Sequence, residues 1–217
     1  MARKATPADA LDPYVDALVR PDPRGARAVV ESMVSSGQPA RAIYMDVLGP
    51  ALVEIGRRWQ QARITVAHEH LATATTKVIM ARLAPLVGTP TPNGRRVVLA
   101  CSSGELHGVG LRMVADFLEG DGWEVLELGA DTPTADLLAI VSSERPDAVG
   151  LSTALTLHLA DATEAVGRLK ALDPAPFVLV GGAAYGGDAD LAARIGADAY
   201  AADAGTTSAL LRHRFGA

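Results

Sequence analysis

From Arg95 onward, short apolar runs alternate with amphipathic segments, and this alternation restricts the possible fold more than any other feature of the chain. The apolar runs predict strands at 96–101, 123–128, 147–152, 177–181 and 198–200. The intervening and following segments predict helices at 108–120, 133–144, 157–171, 187–195 and 204–213. Short apolar runs separated by amphipathic helices are typical of parallel strands covered on both faces. We therefore expect an α/β domain over 95–217, with a flavodoxin/Rossmann-like, doubly wound sheet of five parallel strands.

Residues 1–87 contain no alternating strand pattern and are expected to form an all-α domain, a four-helix bundle. The first helix is predicted from Pro7 to about Val19, where Pro21-Asp22-Pro23 breaks it, and a second helix is predicted to run to about Ser36. In the third and fourth helices, apolar residues recur every three to four positions and predict one buried face each. These faces are Ile43, Val47, Leu48, Leu52, Ile55 and Trp59 in the third helix, and Val66, Leu71, Ala74, Val78 and Leu83 in the fourth. The turn-rich segment 88–94 is the predicted linker between the two domains.

Composition excludes several classes of function. The 217 residues carry a formal net charge of −5, which argues against broad binding to nucleic acids or to membrane surfaces. No stretch reaches the length of a membrane span, and the N-terminus lacks the apolar core of a signal peptide, so a cytoplasmic protein is expected. The single cysteine, Cys101, excludes an internal disulfide and a cysteine-based zinc site. Because it ends an apolar run, Cys101 is expected to be a buried, inert thiol.

Polar and small residues follow three of the predicted strands at the point where each strand ends. Because the carboxyl ends of parallel strands lie along one edge of a sheet, we expect these three segments to converge and form a ligand site. The missing side chains of Gly181 and Gly182 are expected to open a slot between the third and fourth strands. A phosphate-binding loop is the competing interpretation, but the glycine-rich motifs of such loops are absent. The candidate residues are Glu105, His107, Gly108 and Gly110; Ser152, Thr153 and Leu155; and Gly181 and Gly182.

These three segments resemble the cobalamin-binding domain shared by methionine synthase, methylmalonyl-CoA mutase and corrinoid methyl carriers. That family has the pattern Asp/Glu-x-His-x-x-Gly, then Ser-x-Leu, then Gly-Gly. Here Glu105-Leu-His-Gly-Val-Gly110, Ser152 and Gly181-Gly182 follow in the same order at the expected distances. The chain departs from the pattern in two places. Glutamate replaces the commoner aspartate, and Ala154 stands where leucine is usual, with Leu155 one place further on.

The resemblance implies a role for each matching residue. His107 would be the lower axial cobalt ligand in place of the cofactor's own dimethylbenzimidazole, the arrangement called base-off/His-on. Glu105 would hold the other ring nitrogen, and Ser152 would contact the dimethylbenzimidazole tail. The remaining candidate residues would complete the cofactor site. The implied cofactor is cobalamin, with adenosylcobalamin favoured and methylcobalamin or hydroxocobalamin possible.

A second resemblance lies in the helical region, where Trp59 is followed after nine residues by Glu69-His70. This spacing is similar to the Trp-x9-Glu-His pattern of adenosylcobalamin-dependent light-sensing regulators. In that family these residues cap the upper face of the corrin and enclose the adenosyl group. The alternative is structural, because a glutamate in a first helical turn suits the helix dipole and a lone tryptophan is usually core.

The chain differs from those regulators in two ways. It begins directly with the helical region, without their DNA-binding winged helix, and Gln60 stands where they have a histidine. His68, His70 or water would therefore take the upper position on cobalt after photolysis. Two other histidines have simpler interpretations. His158 either helps to position Glu105 or the nucleotide tail, or lies at a solvent-facing helix start, and His213 is expected at the surface.

The leading functional prediction is a cobalamin-binding sensor without catalytic activity of its own, using adenosylcobalamin and light. It would signal through a regulatory protein partner or through self-association, without direct binding to nucleic acid or membranes. The alternative is a corrinoid methyl carrier of a methyltransferase system. A cobalamin chaperone or store is a third possibility.

Overall fold

In the computed structural model, residues 7–88 and 91–216 are described, and the chain divides into two compact units, Met1–Gly88 and Thr89–Ala217. The first unit is helical, and the second is built on a parallel sheet. The predicted fold class is confirmed. Across the described ranges, no helix combines the length and the apolar character that crossing a membrane requires.

The helical unit consists of antiparallel segments joined by short connections. Its helices are α1 (Pro7–Val19), α2 (Pro23–Ser35), α3 (Ala40–Ile43), α4 (Gly49–Gln60) and α5 (Val66–Leu83). A π-helical turn, Tyr44–Leu48, joins α3 to α4 without a break. The third predicted helix is therefore continuous from Ala40 to Gln60. Asp22 begins α2 by accepting a hydrogen bond from the Gly25 N–H at 2.9 Å, as helix N-caps do.

The buried face of α5 differs from the predicted one. Of the five residues predicted to face the core, only Leu83 is buried, while Val66 and Val78 are about half exposed. The buried residues are Ala72, Thr75, Thr76, Ile79, Met80 and Leu83. The Thr76 hydroxyl is satisfied there by the Tyr14 hydroxyl at 2.9 Å and by the Ala72 carbonyl at 2.9 Å. Apolar periodicity fails at α5 because hydrogen-bonded threonines form part of its core face.

The second unit is a sheet with the strand order β2-β1-β3-β4-β5, and all neighbouring strands are parallel. The strands are β1 (Arg96–Cys101), β2 (Glu124–Gly129), β3 (Ala148–Ser152), β4 (Phe177–Gly181) and β5 (Ala199–Ala201). The helices are α6 (Val109–Gly120), α7 (Thr134–Glu144), α8 (Leu159–Lys170), α9 (Ala189–Arg194) and α10 (Ala204–Phe215). This is the flavodoxin-like order, whose direction of winding reverses between β1 and β3, and ligands bind at the carboxyl ends of strands beside such a reversal.

Helices cover the sheet on both faces, and each strand supplies apolar side chains to both. Val97, Leu99 and Cys101 of β1 pack in the core beneath α6 and α10, whereas Val98 and Ala100 pack beneath α7, α8 and α9. This explains why the strands appear in the sequence as unbroken apolar runs, which is typical of parallel sheets. Successive residues of a strand point to opposite faces. Since Leu151 lies in the core under α7–α9, Ser152 falls on the α6/α10 side of the sheet.

Candidate functional site

The sheet register brings the three predicted segments to one edge. Cys101 of β1 pairs with Ser152 of β3, and Ser152 pairs with Gly181 of β4. The loop with Glu105 and His107 leaves β1 at this point and enters α6. Cys101, Ser152 and Gly181 are far apart in the sequence and therefore lie side by side only in the folded sheet.

Glu105 and His107 form a carboxylate–imidazole pair in this loop. Glu105 Oε1 lies 2.5 Å from His107 Nδ1 and accepts the backbone N–H of His107 at 2.9 Å. The Glu105 side chain is fully buried, whereas the His107 side chain is 53% exposed. With an ionised carboxylate, Nδ1 carries the proton, so the lone pair of the imidazole lies on the exposed Nε2. The pair thus presents a fixed imidazole nitrogen at the sheet edge.

The other oxygen of Glu105 is held by backbone amides. Oε2 accepts hydrogen bonds from the N–H groups of Ala154 at 2.8 Å and Leu155 at 2.9 Å. Burial alone raises the pKa of this carboxyl. The hydrogen bonds from His107, Leu155 and Ala154 outweigh that effect, and the pKa falls to about 2. Glu105 is therefore a charged, fully hydrogen-bonded group that bridges the loops after β1 and β3.

The loop that carries Glu105 is also tied down from outside the predicted motif. Asp131 accepts a hydrogen bond from the Gly104 N–H at 2.7 Å and donates its own N–H to the Glu105 carbonyl at 2.8 Å. The His158 ring packs against Gly104, where a Cβ atom would lie 2.8 Å from His158 Cε1. His158 lies at the start of α8, as one of its two interpretations expects, and its ring faces the site loop. His158 is partly buried against the backbone of the site loop.

Gly181 and Gly182 have a different structural role from the predicted slot. A Cβ at Gly181 would lie 2.4 Å from the Ala201 carbonyl oxygen, and a Cβ at Gly182 would lie 2.3 Å from that of Thr153. Gly182 also has a φ of +106°, which side chains rarely adopt. The missing side chains let neighbouring backbone segments approach closely at both positions. At the start of α6, by contrast, no atom lies within 4 Å of a Cβ built on Gly110, and the nearest to Gly108 is at 3.8 Å.

The predicted residues after β3 differ in their surroundings. Thr153 is fully buried, and its hydroxyl forms a hydrogen bond of 2.7 Å with the hydroxyl of Ser102. Ser152 is partly buried at the end of the strand. The Leu155 side chain is 37% exposed, and its backbone N–H contacts Glu105. These three residues thus lie at the predicted edge. Thr153 contacts Ser102 and Leu155 contacts Glu105, in both cases through groups that the motif does not specify.

Cys101 ends β1 directly beneath this edge and is fully buried. Burial and the negative charges of Glu105 and Glu127 raise the pKa of its thiol to about 12. A thiol protonated at every physiological pH is a poor nucleophile. The predicted inert role of Cys101 agrees with this environment.

The second predicted group lies in the helical unit. Trp59, near the end of α4, is 42% exposed, so it is not the core tryptophan of the structural alternative. Glu69 lies 2.7 Å from His70 Nδ1 and accepts a hydrogen bond from the Thr73 hydroxyl at 2.8 Å. His68 instead caps α5, with Nδ1 2.7 Å from the Thr65 hydroxyl. The structure thus pairs a predicted carboxylate with a predicted imidazole in each unit, Glu105 with His107 and Glu69 with His70.

Sequence reasoning missed the groups that hold Glu105 in place. The Ala154 and Leu155 amides are backbone groups that any residue could supply, so the sequence carries no signal for them. Asp131 lies in a βα loop and has a φ of +48°, which only the folded backbone reveals. Ser102 was visible only as a small residue that ends an apolar run.

Comparison with known proteins identifies both units. A family model described as a B12 binding domain matches residues 95–211, which is more than half of the chain. A second model with the same description matches residues 10–84. The chain belongs to the B12-binding domain family. The predicted family and its cobalamin cofactor are therefore confirmed.

The relatives of this B12-binding chain fall into two groups. It is 37% identical to the HTH-type transcriptional repressor CarH of Myxococcus xanthus over 158 residues, which cover 72% of this chain and 52% of CarH. It is 41% identical to CarA of the same organism over 110 residues, covering 50% of this chain and 36% of CarA. The chain thus spans about half of the length of CarH and about a third of that of CarA. The dimethylamine corrinoid protein of Methanosarcina barkeri is 27% identical over 199 residues, which cover 89% of this chain and 92% of that protein.

A solved structure shows the same fold. The monomethylamine corrinoid protein of Methanosarcina barkeri superimposes with a TM-score of 0.85, covering 95% of this chain and 99% of that one, at 20% sequence identity. The His107 site fits a cobalamin on chemical grounds. An imidazole whose second nitrogen donates to a carboxylate is a well-oriented metal ligand of raised basicity.

The close approach at Gly182 predicts a large effect of adding a methyl group. Gly182→Ala is expected to lower the free energy of unfolding by about 2–4 kcal/mol, since it adds backbone strain and a clash with Thr153. Gly187→Ala is the matched control, because Gly187 has a φ of +82° and open space around its Cβ position. It should cost only about 1 kcal/mol. Urea unfolding followed by circular dichroism measures both, and equal losses would contradict the close-approach explanation.

The lowered pKa of Glu105 predicts a pH-dependent contribution to stability. Because the folded pKa, about 2, lies below the ordinary 4.5, the stabilisation is fully present above pH 4.5 and is lost as the pH falls toward 2. Glu105→Gln should lower the free energy of unfolding by about 3 kcal/mol at pH 7, and the difference from the wild type should shrink below pH 4.5. Urea unfolding from pH 7 to pH 3 measures this difference in the free energy of unfolding.

Glu54→Gln is the control. It removes a partly exposed ion pair and should have a much smaller effect at pH 7. A difference at Glu105 that stays constant with pH would contradict the assignment.

Proposed function

We propose that this chain is a sensor that binds adenosylcobalamin with His107 as the lower cobalt ligand, in the base-off/His-on form, and responds to light. The observation that carries the proposal is the exposed His107 imidazole, whose Nδ1 is held by the buried carboxylate of Glu105. Glu105 keeps the proton on Nδ1 and thereby leaves the Nε2 lone pair for the metal. The Ala154 and Leu155 amides prevent the carboxylate from turning away.

Other residues of the sheet edge would hold the rest of the cofactor. Ser152, on the α6/α10 side, would contact the nucleotide tail. Gly110 leaves open space at the start of α6, where a large planar ligand can approach the backbone, and a Cβ at Gly108 would be in ordinary contact with Ala130. Gly181 and Gly182 would act indirectly, by letting the loops after β3, β4 and β5 pack closely. When bound, adenosylcobalamin supplies a cobalt–carbon bond that light can cleave.

In the helical unit, Trp59, Glu69 and His70 are the residues we assign to the upper face of the cofactor. The 42% exposure of Trp59 supports this assignment, because an exposed indole offers a flat aromatic surface on which a ligand ring can stack. Of the two histidines that could serve as an upper ligand after photolysis, His70 is favoured. His68 uses Nδ1 to cap α5, whereas His70 is oriented by Glu69 much as His107 is oriented by Glu105.

The response would pass to a regulatory protein partner or to a change in self-association, and the chain would have no catalytic activity of its own. Its 37% identity to a transcriptional repressor supports a regulatory role. A conformational change of this kind requires only that the cofactor contacts differ before and after illumination.

A corrinoid methyl carrier is the second candidate. The observation that favours it is the length of the match, since the dimethylamine corrinoid protein aligns over 92% of its own length, compared with 52% for CarH. As a carrier, the chain would bind methylcobalamin as tightly as adenosylcobalamin and would dock to a methyltransferase.

Green-light illumination tests the sensor role directly. The protein loaded with adenosylcobalamin should change both its absorption spectrum and its hydrodynamic radius after illumination, because the loss of the adenosyl group removes contacts to the helical unit. The methylcobalamin-loaded protein serves as the comparison sample. If light changes neither the spectrum nor the radius of the adenosyl-loaded protein, the chain is not a light sensor.

Substitution of Trp59 separates the two candidates. In a sensor, Trp59→Ala should weaken adenosylcobalamin binding about tenfold, or about 1.4 kcal/mol, with little effect on methylcobalamin, which lacks the adenosyl group. Val53→Ala is the matched control, because Val53 is also on α4 and is 74% exposed. Titration calorimetry with both cobalamins gives the affinities. Equal weakening of the two ligands would favour the carrier.

A further inference from the structure

A buried pair of hydroxyl groups lies directly beneath the carboxylate–imidazole pair. The Ser102 and Thr153 hydroxyls are 2.7 Å apart in residues that are 2% and 0% exposed. Ser102 directly follows β1, and Thr153 directly follows β3. The pair therefore joins the first residues of the two loops that meet at Glu105.

Thr153 is fixed from three sides. Its N–H donates to the Gly181 carbonyl at 2.9 Å, its carbonyl accepts the Ala184 N–H at 3.2 Å, and its hydroxyl bonds to Ser102. The next two residues along the chain, Ala154 and Leu155, supply the amides that hold Glu105. The place of those amides is therefore determined by the place of Thr153.

A second buried hydroxyl, that of Tyr185, lies beside the Thr153 hydroxyl. Tyr185, 2% exposed, places its hydroxyl beside Thr153 without a hydrogen bond of good geometry, and burial raises its pKa. If the Thr153 hydroxyl were lost, the Ser102 and Tyr185 hydroxyls would both stay buried and would lose the polar group that lies beside them. Buried polar groups without partners are costly, so the loops would move to expose or re-pair them.

The hydrogen bonds of Glu105 tolerate little movement. They are 2.5–2.9 Å long, and a shift of about 1 Å between the two loops would take them beyond hydrogen-bond distance. Glu105 receives hydrogen bonds from both loops and cannot follow one of them without losing contact with the other.

We propose that the Ser102–Thr153 hydroxyl pair is a positioning element for His107. It holds the turn 153–155 in register with the segment 102–105, so that the Glu105 carboxylate reaches from the Ala154 and Leu155 amides to the imidazole. This inference rests on the proposed role of His107 as the lower cobalt ligand.

Four variants test the proposal. Thr153→Val removes the hydroxyl at nearly constant shape, and Thr153→Ser keeps it. Ser102→Ala removes the other partner and gives the same test should Thr153→Val not fold. The matched control is Thr76→Val, which breaks a different buried hydroxyl–hydroxyl hydrogen bond, the one with Tyr14 in the helical unit.

Two measurements report on the position of Glu105 and His107. In the cobalamin-free protein, NMR gives the amide proton shifts of Ala154 and Leu155, which move downfield when they donate to a carboxylate. In protein labelled with ¹⁵N-histidine and loaded with cob(II)alamin, the nitrogen splitting of the EPR spectrum shows whether a histidine is bound to cobalt. The label separates this histidine from the cofactor's own base.

In Thr153→Val and Ser102→Ala, both amide resonances should move upfield, and cobalamin affinity should fall by about tenfold or more, as is usual when a group behind a metal ligand is lost. The fraction of cobalt bound to labelled histidine should fall with it. Thr153→Ser, which keeps the hydroxyl, should retain the wild-type amide shifts, cobalamin affinity and fraction of cobalt bound to labelled histidine. Thr76→Val should lower the unfolding temperature but leave the amide shifts and the histidine splitting unchanged.

His107→Ala separates failure of this inference from failure of the proposed function. If His107→Ala abolishes the labelled-histidine splitting but Thr153→Val and Ser102→Ala keep wild-type shifts and splitting, the positioning role is wrong and the ligand assignment stands. If the splitting persists in His107→Ala, the ligand assignment is wrong, and the inference fails with it.

Discussion

A buried carboxylate charge, that of Glu105, is the constraint on which the site depends. A carboxylate removed from water is stable only when its oxygens are hydrogen-bonded, and otherwise it costs several kcal/mol. The donors come from the loop of His107 and from the turn after β3, two segments that are distant in sequence. Satisfying one charge therefore fixes two loops, and the parallel pairing of β1 with β3 makes the meeting possible.

The two carboxylate–imidazole pairs differ in the strength with which they are held. Glu105 is fully buried and bridges two loops, so His107 is fixed before any ligand arrives. Glu69 is 25% exposed and His70 is 73% exposed; both lie on α5, and the other hydrogen bond of Glu69 comes from Thr73 of the same helix. Exposed ion pairs contribute little and rearrange readily. This contrast suits a permanent lower ligand and an upper residue that changes partner, which is the division of roles proposed above.

The sequence predicted the strands of the sheet to within a residue or so, because strands covered on both faces appear as continuous apolar runs, as at Val97–Cys101. It placed Glu105 and His107 at one edge because the carboxyl ends of parallel strands lie along the same edge of a sheet. It failed where long-range contacts decide the outcome. Thr76 is buried because Tyr14 meets it, and Gly182 is required because the Thr153 backbone approaches it. The amides that hold Glu105 are backbone groups that nearly every residue type has, so a sequence pattern cannot reveal them.

The fold alone does not choose between a sensor and a methyl carrier, since the same architecture occurs in a corrinoid protein at 20% identity and function resides in the site placed on a fold. The lower half of the site would serve both functions equally, because each needs a cobalt ligand held by a carboxylate. The distinction therefore falls on the helical unit. Trp59 is 42% exposed and so loses part of the hydrophobic stabilisation that burial would provide. In the proposed sensor the adenosyl group would cover this indole, because its flat aromatic base is large enough to stack on it. The methyl group of a carrier's cofactor would be too small to do so.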